Sequence, residues 1–394
     1  MNIGIFTDTY YPQVSGVATS IKTLKEQLES RGHNVYIFTT TDPKVDTRQY
    51  ERNIFRFKSI PFISFTDRRI AVRGLFRAYQ VAKELNLDIV HTQTEFSMGW
   101  IGKFVAKNLK VPCLHTYHTM YEDYLHYVAK GRLLKPYHVK QMSRSFCYHM
   151  TGIVAPSERV LTTLTGYGIK APISIIPTGV NIAKFQKDPA ADNWREKYGI
   201  AEKTPLLLTV SRLAYEKNIN NLIAVMPKII EKIPNVRLLV VGDGPAKEEL
   251  IEQVDVMQLQ DRVIFTGEVD NEDVPYFYQM ADLFVSTSVS ESQGLTYIEA
   301  LASGLQVVAT HSPYTDQLLD DSTIGSTFYN EDELVDVVCG YLTNKDEFNN
   351  NEKLKAKLYD ISADHFGKRI LRLYKECQTI YTKENQTSHS GETS

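Results

Sequence analysis

The segment 290–304, SESQGLTYIEALASG, carries two glutamates, Glu291 and Glu299, eight positions apart, with Gly294 between them where an apolar strand gives way to a helical pattern. A glycine at a helix start lets a ligand approach the backbone closely. The amides of Leu295 and Thr296 then point at an anion such as a phosphate. Glu299 lies about one turn further in, at about 1.5 Å of rise per residue. The two carboxylates can therefore bracket a diphosphate and accept hydrogen bonds from hydroxyls at its two ends, a sugar on one side and a ribose on the other. The competing reading makes Glu291 a helix cap and Glu299 a solvated surface acid. Arg212 and Lys217, in LLLTVSRLAYEKNINNLI, follow another apolar strand. Positioned cations of this kind stabilise a departing diphosphate without a metal, although isolated surface cations look the same in a sequence. The chain contains no D-x-D, which weighs against a metal-dependent transfer.

The first half offers fewer such residues. His118, in LHTYHTMYEDY, is one of ten histidines and stands at the end of a strand, where it is either structural or faces a ligand. Gly16, in SGV, is either a simple turn residue or a backbone that closes over a ligand. In the second half, VGDGP at 241–245 follows a strand but lacks the third glycine of a dinucleotide fingerprint, so an ordinary strand-to-helix turn accounts for it equally well.

These residues need elements to hold them. NIGIFT, HNVYIFTT, LDIVHTQT, VPCLHTYH and GIVAPS read as strands separated by helical stretches, and a second series runs PLLLTVSR, VRLLVVGDGP, RVIFTGEV, DLFVSTS and LQVVAT. Strands alternating with helices make a parallel sheet covered on both faces. The expected fold class is α/β, with two doubly wound Rossmann-like domains in series. Their ligands bind beyond the carboxyl ends of the strands. The boundary is expected near 177–190, where Pro177, Gly179 and Pro189 collect. This divides the chain into an N-terminal domain over 1–180, a C-terminal domain over 181–366, a helix over 367–383 that crosses back to the N-terminal domain, and a disordered polar tail over 384–394.

With 394 residues and 43% hydrophobic content the chain can bury substantial cores. Cys113, Cys147, Cys339 and Cys377 are far apart and include no CxxC pair, which argues against a zinc site and a secreted disulfide framework. Neither a signal peptide nor a transmembrane span is expected, and the NQT near the end is read as a chance sequon. The net charge of -3 conceals a division: residues 1–175 hold 23 Lys+Arg against 13 Asp+Glu, so the first half is basic and the second acidic. Within DRRIAVRGLFRAYQVAKEL, Arg69, Arg73 and Arg77 recur every four residues, which predicts a helix with the three on one face beside Phe76. A basic amphipathic helix of this sort can lie on an anionic bilayer. YLHYVAKGRLLKPYHVKQMSRSF, with Lys140 and Arg144, is a second candidate membrane surface. A packed helix with a solvated charged stripe is the alternative, and nucleic acid is disfavoured because no recognition motif accompanies the charge.

Taken together, FTDTYYPQVSGV, YHT at 117–119, PTGV at 177–180, SRLAYEKN at 211–218, VGDGP and ESQGLTYIEALASG resemble, in order and over nearly the whole chain, the retaining GT-B glycosyltransferases of family 4. The resemblance implies that the two domains face each other across a cleft. Glu291 would contact hydroxyls of the transferred sugar and Glu299 would hold the ribose. Arg212 and Lys217 would lie on the diphosphate beside the amides from Gly294 to Thr296. Gly16 would stand near the phosphates, though a double glycine is common there, and His118 near the reacting centre. Many members read E-G-F-G where this chain has ESQG. That wording is similar to bacterial diacylglycerol glucosyltransferases, which implies UDP-glucose as donor, diacylglycerol as acceptor, an anionic phospholipid surface as partner, and a cytoplasmic chain associated peripherally with the inner face of the membrane. It implies no cofactor and no metal. Phosphatidylinositol or other lipid mannosyltransferases, soluble-acceptor members of the family, a UDP-sugar epimerase and a non-catalytic sugar-nucleotide sensor are the alternatives.

Overall fold

Runs such as IGIF and LLVV are apolar at every position, as strands buried on both faces tend to be. In the computed structural model, which describes residues 1–13, 15–43, 45, 51–62, 65–71, 73–122, 135–186, 191–344 and 351–390, these runs form the central strands of two parallel sheets. The chain divides into two compact units, one of residues 1–179 with 363–394 and one of residues 180–362.

In the first unit the strands are β1 (Asn2–Phe6), β2 (Asn34–Thr40), β3 (Ile54–Phe57), β4 (Ser59–Phe62), β5 (Phe65–Ala71), β6 (Ile89–Thr92), β7 (Cys113–Thr116), β8 (Gly152–Ala155) and β9 (Ile173–Ile175). Among the described residues the main sheet has seven strands in the order β3-β2-β1-β6-β7-β8-β9, and β4 pairs with β5 as a separate antiparallel hairpin. The second unit holds β10 (Leu206–Val210), β11 (Arg237–Val241), β12 (Val263–Gly267), β13 (Leu283–Ser286), β14 (Val307–Thr310) and β15 (Gly325–Phe328), in the order β12-β11-β10-β13-β14-β15. The strand order reverses beside β1 in one sheet and beside β10 in the other. At such a switch point the following loops diverge to opposite faces and leave a crevice at the carboxyl end.

Alternate residues of each strand face different cores. Leu207 packs under the helices Ile219–Lys232 and Glu331–Thr343, while Leu206 and Leu208 pack with Tyr278, Tyr297 and Leu301 on the other face. Truncating such a fully buried leucine to alanine costs about 2–5 kcal/mol. In the first unit the helix Ala363–Ser390 covers one face through Phe366, Ile370 and Tyr374, packing on the helix Gly16–Glu29. Its Tyr374 hydroxyl lies 2.7 Å from Nδ1 of the buried His91 on β6. This helix runs to Ser390 rather than ending near 383, since the sequence offers no Gly or Pro to stop it before Gly391.

The expected helix through Arg69, Arg73 and Arg77 does not form. Arg69 is on β5, opposite Pro61 of β4, and donates from Nε and Nη2 to Ser59 at 2.9 and 2.8 Å. Arg73 stands in the turn that follows, and Arg77 lies on the helix Leu75–Glu84. Gly74 makes the break: its φ of 134° leaves helical space, and a Cβ there would lie 2.4 Å from the Phe57 ring. Thr66 and Ile70 favour the pleated strand over a helix, and β4 supplies the partner that a local periodicity count does not see. Arg73, Arg77 and Phe76 are exposed, Phe76 at 75%. On the helix Pro136–Cys147, Arg144 is exposed while Lys140 donates to the Gly166 carbonyl at 3.2 Å. The rest of that second basic segment, 124–134, lies outside the described residues.

Candidate functional site

At the β10/β13 switch point the predicted diphosphate residues come from two neighbouring loops. After β10 the chain passes Arg212, makes a 3-10 turn over Tyr215–Lys217 and, with Asn218 in the left-handed region, enters the helix Ile219–Lys232. After β13 it runs through Thr287 and Glu291 to the helix Leu295–Ala302. The two loops are stitched together, because Thr287 Oγ1 donates to the carbonyls of Lys217 and Asn218 at 3.1 and 2.8 Å. Lys217 Nζ then reaches Glu291 Oε1 at 2.6 Å, a partly buried ion pair. Glu291 is thus a partner of Lys217, and the start of the following helix has no side-chain cap.

Gly294 is the residue at that helix start, with φ at 66°. A Cβ there would meet the Tyr297 ring at 2.6 Å, so glycine is required both by conformation and by space. Leu295 and Thr296 supply the first amides of the helix, whose positive end favours an anion. Arg212 is exposed at the head of the neighbouring loop. The VGDGP loop braces that loop from the far side: Ser211 N donates to the Val241 carbonyl at 3.1 Å, and Leu213 N to the Asp243 carbonyl at 2.9 Å. A Cβ on Gly242 would stand 1.9 Å from the Ser211 carbonyl oxygen. Its glycine serves the close approach of these two loops.

Glu299 sits one turn into the helix, half-buried, and accepts from the Tyr278 hydroxyl at 2.8 Å. It is not a solvated surface acid. Burial pushes its carboxyl up to about 7, against the opposing pull of the Tyr278 bond and of Lys184. The second unit therefore presents two cations, a helix amide end and two carboxylates within one pair of loops and the helix that follows.

In the first unit, Gly16 is the exposed first residue of its helix, which Ser15 caps by accepting from Ala18 N at 3.1 Å. His118 lies two residues beyond β7, and its Nε2–H donates to Gln93 Oε1 at 2.7 Å. Burial, reinforced by the nearby His115, holds its pKa down to about 3, so the ring is neutral near pH 7. Around it is a buried polar cluster. His115 Nε2 contacts Glu95 Oε1 at 3.0 Å, Tyr121 donates to the other oxygen of Glu95, and Thr94 Oγ1 donates to Asp8 at 2.6 Å. Asp8 also accepts from Met98 N at 3.0 Å and from the Ser97 hydroxyl, which fixes the start of the helix Ser97–Leu109. Among the described residues no group of three or more His, Cys, Asp or Glu side chains is placed to hold a metal ion. No helix there is long and apolar enough to cross a membrane.

Comparison with known proteins then decides the family. The profile of Glycosyltransferase Family 4 matches residues 14–184, and that of Glycosyl transferases group 1 matches residues 190–359. The chain belongs to glycosyltransferase family 4. This glycosyltransferase is 46% identical to the alpha-monoglucosyldiacylglycerol synthase of Streptococcus pneumoniae over 95% of its own length and 85% of the relative's. It is 33% identical to the enzyme of the same name from Acholeplasma laidlawii, over 97% of its length and 96% of the relative's. Among solved structures, Anabaena HepE in complex with UDP superposes with a TM-score of 0.77 at 18% identity, covering 95% of this chain and 100% of that one. The glycosyltransferase thus has the GT-B fold, two Rossmann-like domains in series.

Sequence reasoning missed the first-unit cluster of Asp8, Gln93, Glu95, His115 and Tyr121. A usable signal was present: β6 runs into HTQTE, five polar residues in succession after an apolar strand, and all five are buried. A buried polar run at a strand's carboxyl end needs partners or a ligand.

Proposed function

We propose that this glycosyltransferase moves glucose, with retention of the α configuration, from UDP-glucose to the 3-hydroxyl of 1,2-diacylglycerol at the cytoplasmic face of a membrane. The reading rests on one observation above all: Arg212, Lys217, Glu291 and the Gly294 helix start come from adjoining loops at the β10/β13 switch point. The choice of lipid and sugar is supported by likeness to the two synthases named above.

The second unit holds the donor. Its diphosphate lies on the amides of Leu295 and Thr296, with Arg212 and Lys217 taking up charge as the bond from the anomeric carbon to the β-phosphate oxygen breaks. Lys217 is held in place beforehand by Glu291, which turns to a sugar hydroxyl when the donor arrives. Glu299 accepts from the ribose. In the first unit, neutral His118 hydrogen-bonds substrate rather than carrying a proton, and Gly16 is exposed at its helix start. A new bond forms between the acceptor oxygen and the anomeric carbon on the face the diphosphate leaves, and the acceptor proton passes to the departing phosphate oxygen. Arg73, Arg77, Phe76 and Arg144 present an exposed basic and aromatic surface for an anionic bilayer. Arg69 and Lys140, held by Ser59 and Gly166, belong to its frame.

The test is incubation with a panel of nucleotide sugars and diacylglycerol-containing liposomes, followed by mass spectrometry of the lipid. Glucosyl-diacylglycerol formed from UDP-glucose alone is the expected product. A glycosylated phosphatidylinositol, a converted nucleotide sugar, or no product with any donor would overturn the reading. Rapid-quench trapping of a glucosylated carboxylate would replace the same-face route with a double displacement.

A further inference from the structure

Gln93 is the first residue after β6, and its amide N–H continues the pairing with β1 by donating to the Phe6 carbonyl at 2.8 Å. It therefore stands at the switch point of the first sheet, where that fold places ligands. The residue is only 2% exposed. Its side-chain oxygen accepts from His118 Nε2–H at 2.7 Å, but its side-chain nitrogen, fully buried, has no hydrogen-bond partner among the described residues. The neighbouring polar groups are all engaged: Thr94 with Asp8, and Glu95 with His115 and Tyr121. A buried donor left open amid satisfied neighbours is unfavourable unless a ligand completes it.

We propose that Gln93 has two jobs on one amide: its oxygen fixes His118 as the Nε2–H tautomer, and its nitrogen donates to a hydroxyl oxygen of the substrate. With Nε2–H committed to Gln93, the lone pair on Nδ1 is what His118 offers, so the two side chains together present one acceptor and one donor. A hydroxyl group, which both donates and accepts, is the complement of that pair. The hydroxyl belongs either to the transferred hexose or to the acceptor lipid. This rests on the sugar-transfer reading above.

Two measurements separate the outcomes. Long-range proton–nitrogen NMR on the wild-type chain reads the His118 tautomer without any assay, and the Nε2–H form is expected; an Nδ1–H ring would overturn the proposal. Gln93→Met keeps length but removes both groups, and Gln93→Glu keeps the acceptor oxygen while removing the donor. Both are expected to lower kcat/KM by about 10- to 100-fold, by analogy with the loss of the partner that orients a metal-bound histidine. Only Gln93→Met should release the tautomer. If the loss falls on the KM for UDP-glucose the oxygen is the hexose's, and if on the KM for diacylglycerol it is the acceptor's. Turnover of Gln93→Met within twofold of an active wild-type enzyme would sink the proposal and leave the transferase reading intact. Inactivity of the wild-type enzyme on every donor sinks the transferase reading, while the tautomer still answers the first half.

Discussion

The two sheets share a strand order and a switch point, yet the edges they offer to ligands differ in kind. Beside β10 the groups are charged: Arg212, the Lys217–Glu291 ion pair and a helix start. Beside β1 they are buried, hydrogen-bonded and, at His118, held neutral. One topology thus hosts two chemistries, and the loops after the strands decide which. Charge is what the proposed stabilisation of a departing diphosphate would require. A buried hydrogen-bonding edge, with His118 neutral, is what orienting hydroxyls would require.

Removing charge from the second unit is the harshest way to break this contrast. Arg212→Ala or Lys217→Ala should lower kcat by roughly a hundredfold or more, as lost oxyanion donors do, in steady-state assays of variants shown by circular dichroism to be folded. Near-wild-type turnover would remove the diphosphate assignment. The next largest effect should come from the exposed surface of the first unit. Each cation near an anionic bilayer contributes about 1 kcal/mol, so Arg73→Glu with Arg77→Glu should weaken liposome cosedimentation by roughly thirtyfold and leave UDP binding unchanged. The Arg69→Glu change should do less for membrane charge and more to the β4–β5 hairpin, since that side chain is tied to Ser59.

Gly294→Ala tests the helix start. A left-handed alanine costs roughly 1–2 kcal/mol, and here its Cβ also meets the Tyr297 ring, so urea unfolding should detect the loss and UDP should bind less well. The smallest effect is a difference in pH response. His118, held down to about 3, should contribute no inflection between pH 5 and 8. Glu299 should contribute one, because its folded-state carboxyl titrates at about 7 rather than at the ordinary 4.5. The raised value means that its stabilising contribution is complete below about 4.5 and is lost as pH rises through about 7. Thermal melts of Glu299→Gln should therefore decline less than wild type between pH 5 and 8. UDP affinity in wild type should rise over the same interval, as the ionised carboxylate accepts from the ribose, and stay flat in the variant.

Much of this was legible before any coordinates. The Rossmann plan followed from apolar strands alternating with helices, and the two loops that adjoin at the β10/β13 switch point stood out as SRLAYEK and ESQG, because glycine and clustered charge are unusual enough to differ from their surroundings. The β4–β5 hairpin was not legible. Its arginine spacing imitates a helix, while the pairing that makes it a strand comes from residues 59–62, outside any local window. The first-unit cluster was hidden for the opposite reason. Gln93, Thr94 and His115 are ordinary polar residues, and only burial and partner geometry distinguish them from residues on a surface.

The helix Ala363–Ser390 has a consequence for how the chain is made. The first unit draws on residues before and after the second, whereas the second is continuous from Val180 to Ser362 and closes on itself where Val180 N donates to the Ile361 carbonyl at 2.8 Å. During vectorial synthesis the later-made unit can therefore complete its core first. The first sheet must wait, with Ile370 and Tyr374 missing from its face and His91 lacking the tyrosine, until the helix Ala363–Ser390 has emerged from the ribosome. Truncation at residue 362 would accordingly injure the amino-terminal unit, and protease sensitivity during translation should concentrate in the half that emerges earliest.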